Sequence, residues 1–177
     1  PGVGGLMTGG LAVVAIGLLG QRGITGGGYD TLSEALDGGL AWKVMLALCV
    51  LKLAATVFSY SSGMAGGIFA PSLFLGGMVG GAVGALDAAL FGHEPAVIGA
   101  FALVGMGAVF AGVIRAPITS VLIIYEMTGN YRLILPLMTA NMVAFALARH
   151  VRPVPIYEAL LAQDGVHLPH GHPIRHV

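Results

Sequence analysis

The sequence has 177 residues, of which 56% are hydrophobic and only 9% charged, and its formal net charge is zero. A soluble domain normally carries about a quarter charged residues, so this composition excludes a soluble globular protein. The zero net charge also argues against a nucleic-acid-binding face, which needs clustered basic residues. High hydrophobicity excludes intrinsic disorder, and the single cysteine, Cys49, excludes a disulfide framework. The composition therefore indicates a polytopic membrane protein.

Long stretches without charge predict the hydrophobic helices, because a helix needs about 20 apolar residues to cross the hydrocarbon core of a bilayer. The acidic segment that contains Asp30, Glu34 and Asp37 is predicted to be a polar connection between two of them. In chain order, we expect helices near residues 2–19, 41–60, 70–90, 96–112 and 131–149.

Two apolar segments, 116–128 and 157–163, are too short to span a bilayer. Arg115 and Pro117 predict the entry turn of the first segment, with the arginine at the membrane interface and the proline at the first helical position. Short helices at membrane depth occur where they are buried in protein or line an aqueous cavity. This pattern is typical of transporters and channels with broken helices.

Glycines recur at every fourth position in the third predicted long helix, at Gly76, Gly80 and Gly84. This spacing places them on one side of the helix, where the absence of side chains lets a neighbouring backbone approach. We interpret the glycines as a packing surface rather than as a ligand site.

The segment SSGMAGGIFAP, residues 61–71, interrupts the apolar sequence with small residues, and Pro71 is suited to the first turn of a new helix. A helix is therefore predicted to begin around residues 68–71, inside the membrane. Its first N–H groups, on Ile68, Phe69 and Ala70, would lack intrahelical acceptors and could hold a dehydrated anion. The alternative is a glycine-rich kink whose donors are satisfied by a neighbouring helix.

The same segment resembles the GSGxxGGxFxP motif of the ClC family of chloride channels and chloride/proton antiporters. GMGAVFAGVIRAPITSVLIIYEMTGNYRLILP and PVPIYEALL are similar to later segments of that family, in the expected order, so the resemblance covers about residues 40–161. PGVGGLMTGGL and TGGGYD look like the start of the family's second half. The resemblance implies an all-α, polytopic fold with broken and re-entrant helices, the second half of an inverted repeat.

The resemblance also implies roles for individual residues. Ile68 and Phe69 would offer main-chain N–H groups to a central chloride, and Ala70 would help to form the neighbouring outer site. Tyr157 would donate its hydroxyl to the central ion, and a phenol suits this role because it donates while staying neutral. The supporting loop of the anion site would be formed by Gly66, Gly67 and Pro71.

The resemblance predicts that residues 1–163 form the C-terminal half of a transmembrane domain and that 164–177 form a polar exit linker. In the family, such a linker often continues into a pair of cytoplasmic CBS domains. His167, His170 and His172 lie among two prolines and a glycine, which deny them a rigid helical face, so we expect linker rather than a metal site. No cofactor is expected besides chloride as the transported ligand.

The sequence begins at Pro1 and looks like part of something longer. Two family segments, a GSGIP-like one that completes the ion site and a GREGP-like one that carries the gating glutamate, do not occur in it. The glutamate that marks many proton-coupled members belongs to the same missing N-terminal half. The choice between a channel and an exchanger is therefore not encoded in these residues.

We expect chloride transport, as a channel or a chloride/proton exchanger, by a homodimer in the plasma membrane of a prokaryote. The dimer surface would include about residues 117–149. Alternatives are a transport-incompetent fragment of such a protein or a transporter of another anion such as nitrate, while fluoride fits the motifs less well. An intramembrane serine protease using Ser61 or Ser62 would need a facing histidine, and His150 lies at a helix end, so no enzyme is expected.

Overall fold

A computed structural model describes residues 2–63, 67–94 and 96–163 of the protein. Across these residues every regular element is helical, as the sequence predicts. A single 3-10 turn, Tyr131–Leu133, precedes the seventh helix. The eight α-helices are α1 (Gly2–Leu19), α2 (Tyr29–Leu36), α3 (Trp42–Ser61), α4 (Phe69–Phe91), α5 (Ala96–Ile114), α6 (Pro117–Thr128), α7 (Ile134–Val151) and α8 (Ile156–Gln163).

The five long helices and both short ones lie where the charge-free stretches predict them, with ends that differ by a few residues. Pro117 occupies the first turn of α6, which confirms the predicted entry turn. Two apolar helices are shorter than the segments that could span a membrane: α1, taken from Gly4 to Leu19, and α6, Pro117–Thr128. In the described part of the chain, four segments are long and apolar enough to span a membrane: Trp42–Ser61, Phe69–Phe91, Ala96–Ile114 and Tyr131–Leu161.

The prediction of a polar connection around Asp30 and Glu34 is wrong, because Tyr29–Leu36 forms the helix α2. Its inward side buries Thr31, Leu32 and Ala35, while the two acidic side chains are exposed on the other side. Asp30 lies in the first turn, where a negative charge interacts favourably with the helix dipole. The acidic residues thus lie on the solvent-exposed face of a short amphipathic helix rather than in a loop.

The core lies around α4, which packs against α2, α3 and α5. The largest fully buried side chains there include Phe74 and Met78 of α4, Met45 of α3, and Met106 and Phe110 of α5. Since α4 is in contact with three other helices, its first turn is held at a defined place in the fold.

The predicted glycine surface is confirmed at the contact between α4 and α5. A Cβ atom at Gly76 would overlap the carbonyl of Gly105, and one at Gly80 would overlap the carbonyl of Phe101. Gly105 returns the contact, since its own Cβ would overlap the carbonyl of Gly76. The two backbones therefore meet directly, with no side chain between them.

Replacing Gly80 by alanine should lower the free energy of unfolding by about 1–3 kcal/mol, because the added methyl group forces the two backbones apart. Gly10→Ala is the matched control, since a Cβ at Gly10 meets nothing within 4 Å. That change should leave stability unaltered or raise it by up to about 1 kcal/mol through helix propensity. Reversible unfolding in mixed detergent micelles measures both, and equal effects of the two substitutions would contradict the packing role of Gly80.

Candidate anion-binding site

The chain breaks between α3 and α4, as the small residues of this segment predict. Helix α3 ends at Ser61, and Gly63 adopts a left-handed φ of 70°, a conformation that glycine accepts without steric cost. Helix α4 then begins at Phe69 with Ile68 as its N-cap residue. The first turn of α4 is thereby a true helix N-terminus rather than the middle of a longer helix.

The N–H groups of the first turn of α4 lie at this N-terminus. Among the described residues, the N–H of Ser72 donates to the carbonyl of Ile68 at 3.0 Å. Within the described residues no acceptor is found for the N–H groups of Ile68, Phe69 and Ala70, and the next residue, Pro71, has no N–H. These donors lie at the positive end of the helix dipole, where an anion is favoured.

A cavity of about 490 Å³ opens beside the start of α4, where Gly67 and Pro71 line it. A Cβ atom at Gly67 would meet nothing within 4 Å, so the backbone there is open to a ligand. Among the described residues that line this cavity, Lys52 carries the only formal charge, and no carboxylate is present. Its remaining polar lining is made of hydroxyl side chains: Thr8, Thr25, Thr56, Ser59 and Tyr60.

Lys52 is a buried cation that the sequence-based prediction missed. Its side chain is 2% exposed, and Nζ donates hydrogen bonds to the carbonyls of Gly23, Ile24 and Gly26 at 3.1, 3.0 and 2.7 Å. All three ammonium protons are thus bound by the loop between α1 and α2. The available signal was a lysine in the middle of the apolar helix α3, a position where ionisable residues are rare and functional.

A second cavity, of about 370 Å³, lies on the other side of the α4 start. Ile68 lines it together with Ile156 and Leu160 of α8, so the last helix returns to the first turn of α4. Thr56, Tyr60 and Pro71 line both cavities. The second cavity is otherwise lined by apolar side chains: Leu53, Val57, Leu75, Val109 and Val113, with the small hydroxyl of Ser72.

The predicted site residues on α4 differ in exposure. Ile68 is buried, and Phe69 is 42% exposed with its ring edge-on to Phe110, the centroids 4.7 Å apart. Ala70 is partly buried. Gly66 lies outside the described residues, so its predicted part in the supporting loop stays a prediction.

Tyr157 lies in the first turn of α8 and is 47% exposed. Its helix lines a cavity that Tyr60 of α3 also lines. Among the described residues no hydrogen bond joins Tyr157 to the start of α4. The structure thus brings α8 to the cavity that Ile68 lines, while a shared anion between Tyr157 and Ile68 stays a prediction.

The other candidate sites gain no support from the structure. The Oγ atoms of Ser61 and Ser62 donate to the backbone carbonyls of Phe58 and Ser59, respectively, and not to His150. Within the described ranges no group of three His, Cys, Asp or Glu side chains could hold a metal ion. The histidine cluster at residues 167–172 lies outside those ranges.

Comparison with known proteins places this site in a family context. The family model described as voltage gated chloride channel matches residues 1–149. The chain is 39% identical, over 160 residues, to the H(+)/Cl(-) exchange transporter ClcA of Cronobacter sakazakii (strain ATCC BAA-894), covering 89% of this chain and 34% of that protein. It also matches the crystal structure of a slow cyanobacterial Cl-/H+ antiporter, with a TM-score of 0.67 and 34% identity, covering 75% of this chain and 31% of that one. The chain therefore spans about a third of the length of these relatives.

Proposed function

We propose, because the chain belongs to the voltage-gated chloride channel family, that it forms part of an integral membrane protein that transports chloride. Both relatives described above are named as exchangers of chloride and protons. Their names favour proton-coupled exchange over a passive channel for the protein that contains this chain. Chloride is then the cargo, protons are the coupled ion, and neither an enzymatic reaction nor a resident cofactor is required.

The observation that carries this proposal is the start of α4. Its N–H groups, for which the described residues provide no acceptor, and the buried Lys52 favour a negative charge near the start of α4, and no carboxylate lines the adjoining cavity among the described residues. Backbone donors at a helix N-terminus attract an anion. They also hold it less tightly than a directly coordinating full charge would, which a transporter needs in order to release its substrate.

Individual roles follow from this geometry and from the family pattern. Ile68 and Phe69 would donate their N–H groups to a central chloride, and Ala70 would contribute to a neighbouring site. Tyr157 would donate its hydroxyl to the central ion. The return of α8 to the cavity beside Ile68 supports this role, because Ile156 and Leu160 of the same short helix line that cavity.

The chain covers 34% of its exchanger relative, which favours a site completed by further segments. We propose that residues 1–163 act as the C-terminal half of a transmembrane domain, together with an N-terminal half of the same fold. Residues 164–177 would serve as an exit linker. On its own the chain would then be a transport-incompetent fragment.

The complete protein would act as a homodimer in the plasma membrane of a prokaryote. The proposed dimer surface is formed by α6 and α7. Both helices expose large apolar side chains, such as Ile118, Leu122 and Leu135. An apolar surface of this kind suits contact with a second subunit or with the lipid bilayer, and crosslinking in membranes would distinguish the two.

Tyr157→Phe tests the proposed site in the complete protein. The loss of one hydrogen bond to a charged acceptor, worth about 1.5–3 kcal/mol, should weaken chloride binding roughly tenfold to a hundredfold without unfolding the protein. Isothermal titration calorimetry with chloride measures this effect. Titration with nitrate in parallel tests whether another anion is preferred.

Tyr131→Phe is the matched control for Tyr157→Phe. Tyr131 is also exposed, but it lies in the 3-10 turn before α7, against Tyr125. Chloride affinity should be unchanged in this variant. An unchanged affinity in Tyr157→Phe as well would refute the role of the tyrosine hydroxyl.

A further inference from the structure

Arg115 has an unusual backbone conformation in the turn between α5 and α6. In the described part of the chain it is the one non-glycine residue with a positive φ, at 66°. This left-handed conformation is unfavourable for an L-residue because its Cβ crowds the following carbonyl oxygen. A residue persists in such a conformation only where surrounding contacts hold it there.

The side chain of Arg115 supplies those contacts at the end of α7. Its Nη2 donates to the carbonyl of Ala148 at 2.8 Å and also to the carbonyl of Arg152. The guanidinium group lies 5.9 Å from the centroid of the Phe145 ring. A cation at a helix C-terminus is favoured by the helix dipole, so Arg115 both caps α7 and holds the residue at which the chain leaves it.

The segment that follows leads directly to Tyr157. Arg152 is extended, with φ −134° and ψ 100°, and Pro153 and Pro155 restrict the backbone before α8 begins at Ile156. Because the two prolines fix their own φ angles, the backbone between Arg152 and Ile156 has little conformational freedom. The direction in which α8 starts is therefore set largely by where the carbonyl of Arg152 is held.

Packing alone fixes α8 only weakly. None of residues 156–161 is buried. A cavity of about 390 Å³ lies at the junction, with Arg115, Arg152 and Ile156 in its lining. Among the described residues, the polar contacts at this junction are the hydrogen bonds of Arg115 and the N–H of Arg152, which donates to the carbonyl of Ala148 at 2.9 Å; of these, only the Arg115 bonds come from a side chain outside α7.

We propose that Arg115 is a positioning residue for Tyr157. By binding the carbonyls of Ala148 and Arg152, its guanidinium group fixes the junction between α7 and α8, and thereby the place of the Tyr157 hydroxyl. This inference rests on the proposed function, in which that hydroxyl binds chloride.

A double-mutant cycle in the complete protein tests the proposal, with chloride affinity measured by calorimetry for Arg115→Met, Tyr157→Phe and the double variant. Arg115→Met should weaken chloride binding by up to about tenfold, no more than Tyr157→Phe does. In the Tyr157→Phe background it should cause no further loss, because the hydroxyl that it positions is already gone. Arg115→Lys, which keeps the charge and one donor group, should restore part of the affinity.

Arg149→Met is the matched control, since Arg149 is exposed in the last turn of α7, and its chloride affinity should be unchanged. If Arg115→Met does not fold, Arg115→Gly removes the same donors and accepts the positive φ. The positioning role would be overturned, and the proposed function left standing, by either of two results. The losses of chloride affinity in the two single variants add up in the double variant, or only Tyr157→Phe loses affinity. No loss in Tyr157→Phe would overturn the tyrosine's part in the proposed function, and the positioning role with it.

Discussion

Replacing Lys52 by methionine should lower the free energy of unfolding of the complete protein by about 3 kcal/mol. The substitution leaves the carbonyls of Gly23, Ile24 and Gly26 without the ammonium donor that all three share. Each buried carbonyl without a partner costs about 1–3 kcal/mol. The substitution also removes the cost of burying a charged ammonium group, which offsets part of this loss. The expected net effect is therefore smaller than the sum of the three carbonyl penalties.

Two variants make the Lys52 experiment specific. Lys43→Met applies the same change to an exposed lysine of α3. The Nζ of Lys43 lies 5.5 Å from the centroid of the Trp42 ring, so this variant should lower the free energy of unfolding by at most about 1 kcal/mol. Lys52→Arg keeps the charge and several donors, so it should retain more stability than Lys52→Met. Unfolding in mixed detergent micelles measures all three variants. Equal stability of Lys52→Met and Lys43→Met would show that the loop carbonyls do not depend on Lys52.

Phe69→Pro should weaken chloride binding by about 3 kcal/mol or more, which is over a hundredfold. Proline removes the N–H of residue 69, one of the proposed donors. It also disfavours helical angles at the residue before it, and Ile68 has φ −84° and ψ −18°. The second donor is therefore displaced together with the loss of the first.

Phe69→Leu separates the backbone from the ring in this experiment. Leucine keeps the N–H but loses the edge-on contact with Phe110, which is worth about 0.5–1.5 kcal/mol of stability. Calorimetry of the complete protein should therefore give nearly unchanged chloride affinity for Phe69→Leu. Equal losses of affinity in both variants would mean that the aromatic ring, and not the N–H group, holds the ion.

The long helices were predictable because the composition of each membrane segment is dictated by the hydrocarbon around it. The break before Phe69 was predictable for a different reason, since glycine disfavours a continuous helix through its conformational freedom and proline through its fixed φ and missing N–H, whatever surrounds them. The glycine packing surface of Gly76 and Gly80 followed from spacing alone, while α5 as its partner did not. In each case one local rule decides the structure.

The features that sequence reasoning missed depend on two distant segments at once. The acidic residues predict a connection where helix α2 lies, because charge alone does not show that Leu32 and Ala35 have a surface to pack on. The partners of Lys52 are carbonyls of a loop more than 20 positions away, and backbone carbonyls have no signature in a sequence. The left-handed φ of Arg115 is likewise stabilised by the end of α7, and nothing in the local sequence marks it.

The direct backbone contact between α4 and α5 has a mechanical consequence. Where side chains interdigitate, helices can slide by small rotamer adjustments, but Gly76, Gly80 and Gly105 leave no such adjustable layer. The two helices are therefore expected to move as one rigid body. The N–H groups at the start of α4 then keep a fixed position relative to α5. Under the proposed function, release of a chloride ion from these donors would therefore depend on movement of the parts that surround this pair, rather than on a tilt of α4 against α5.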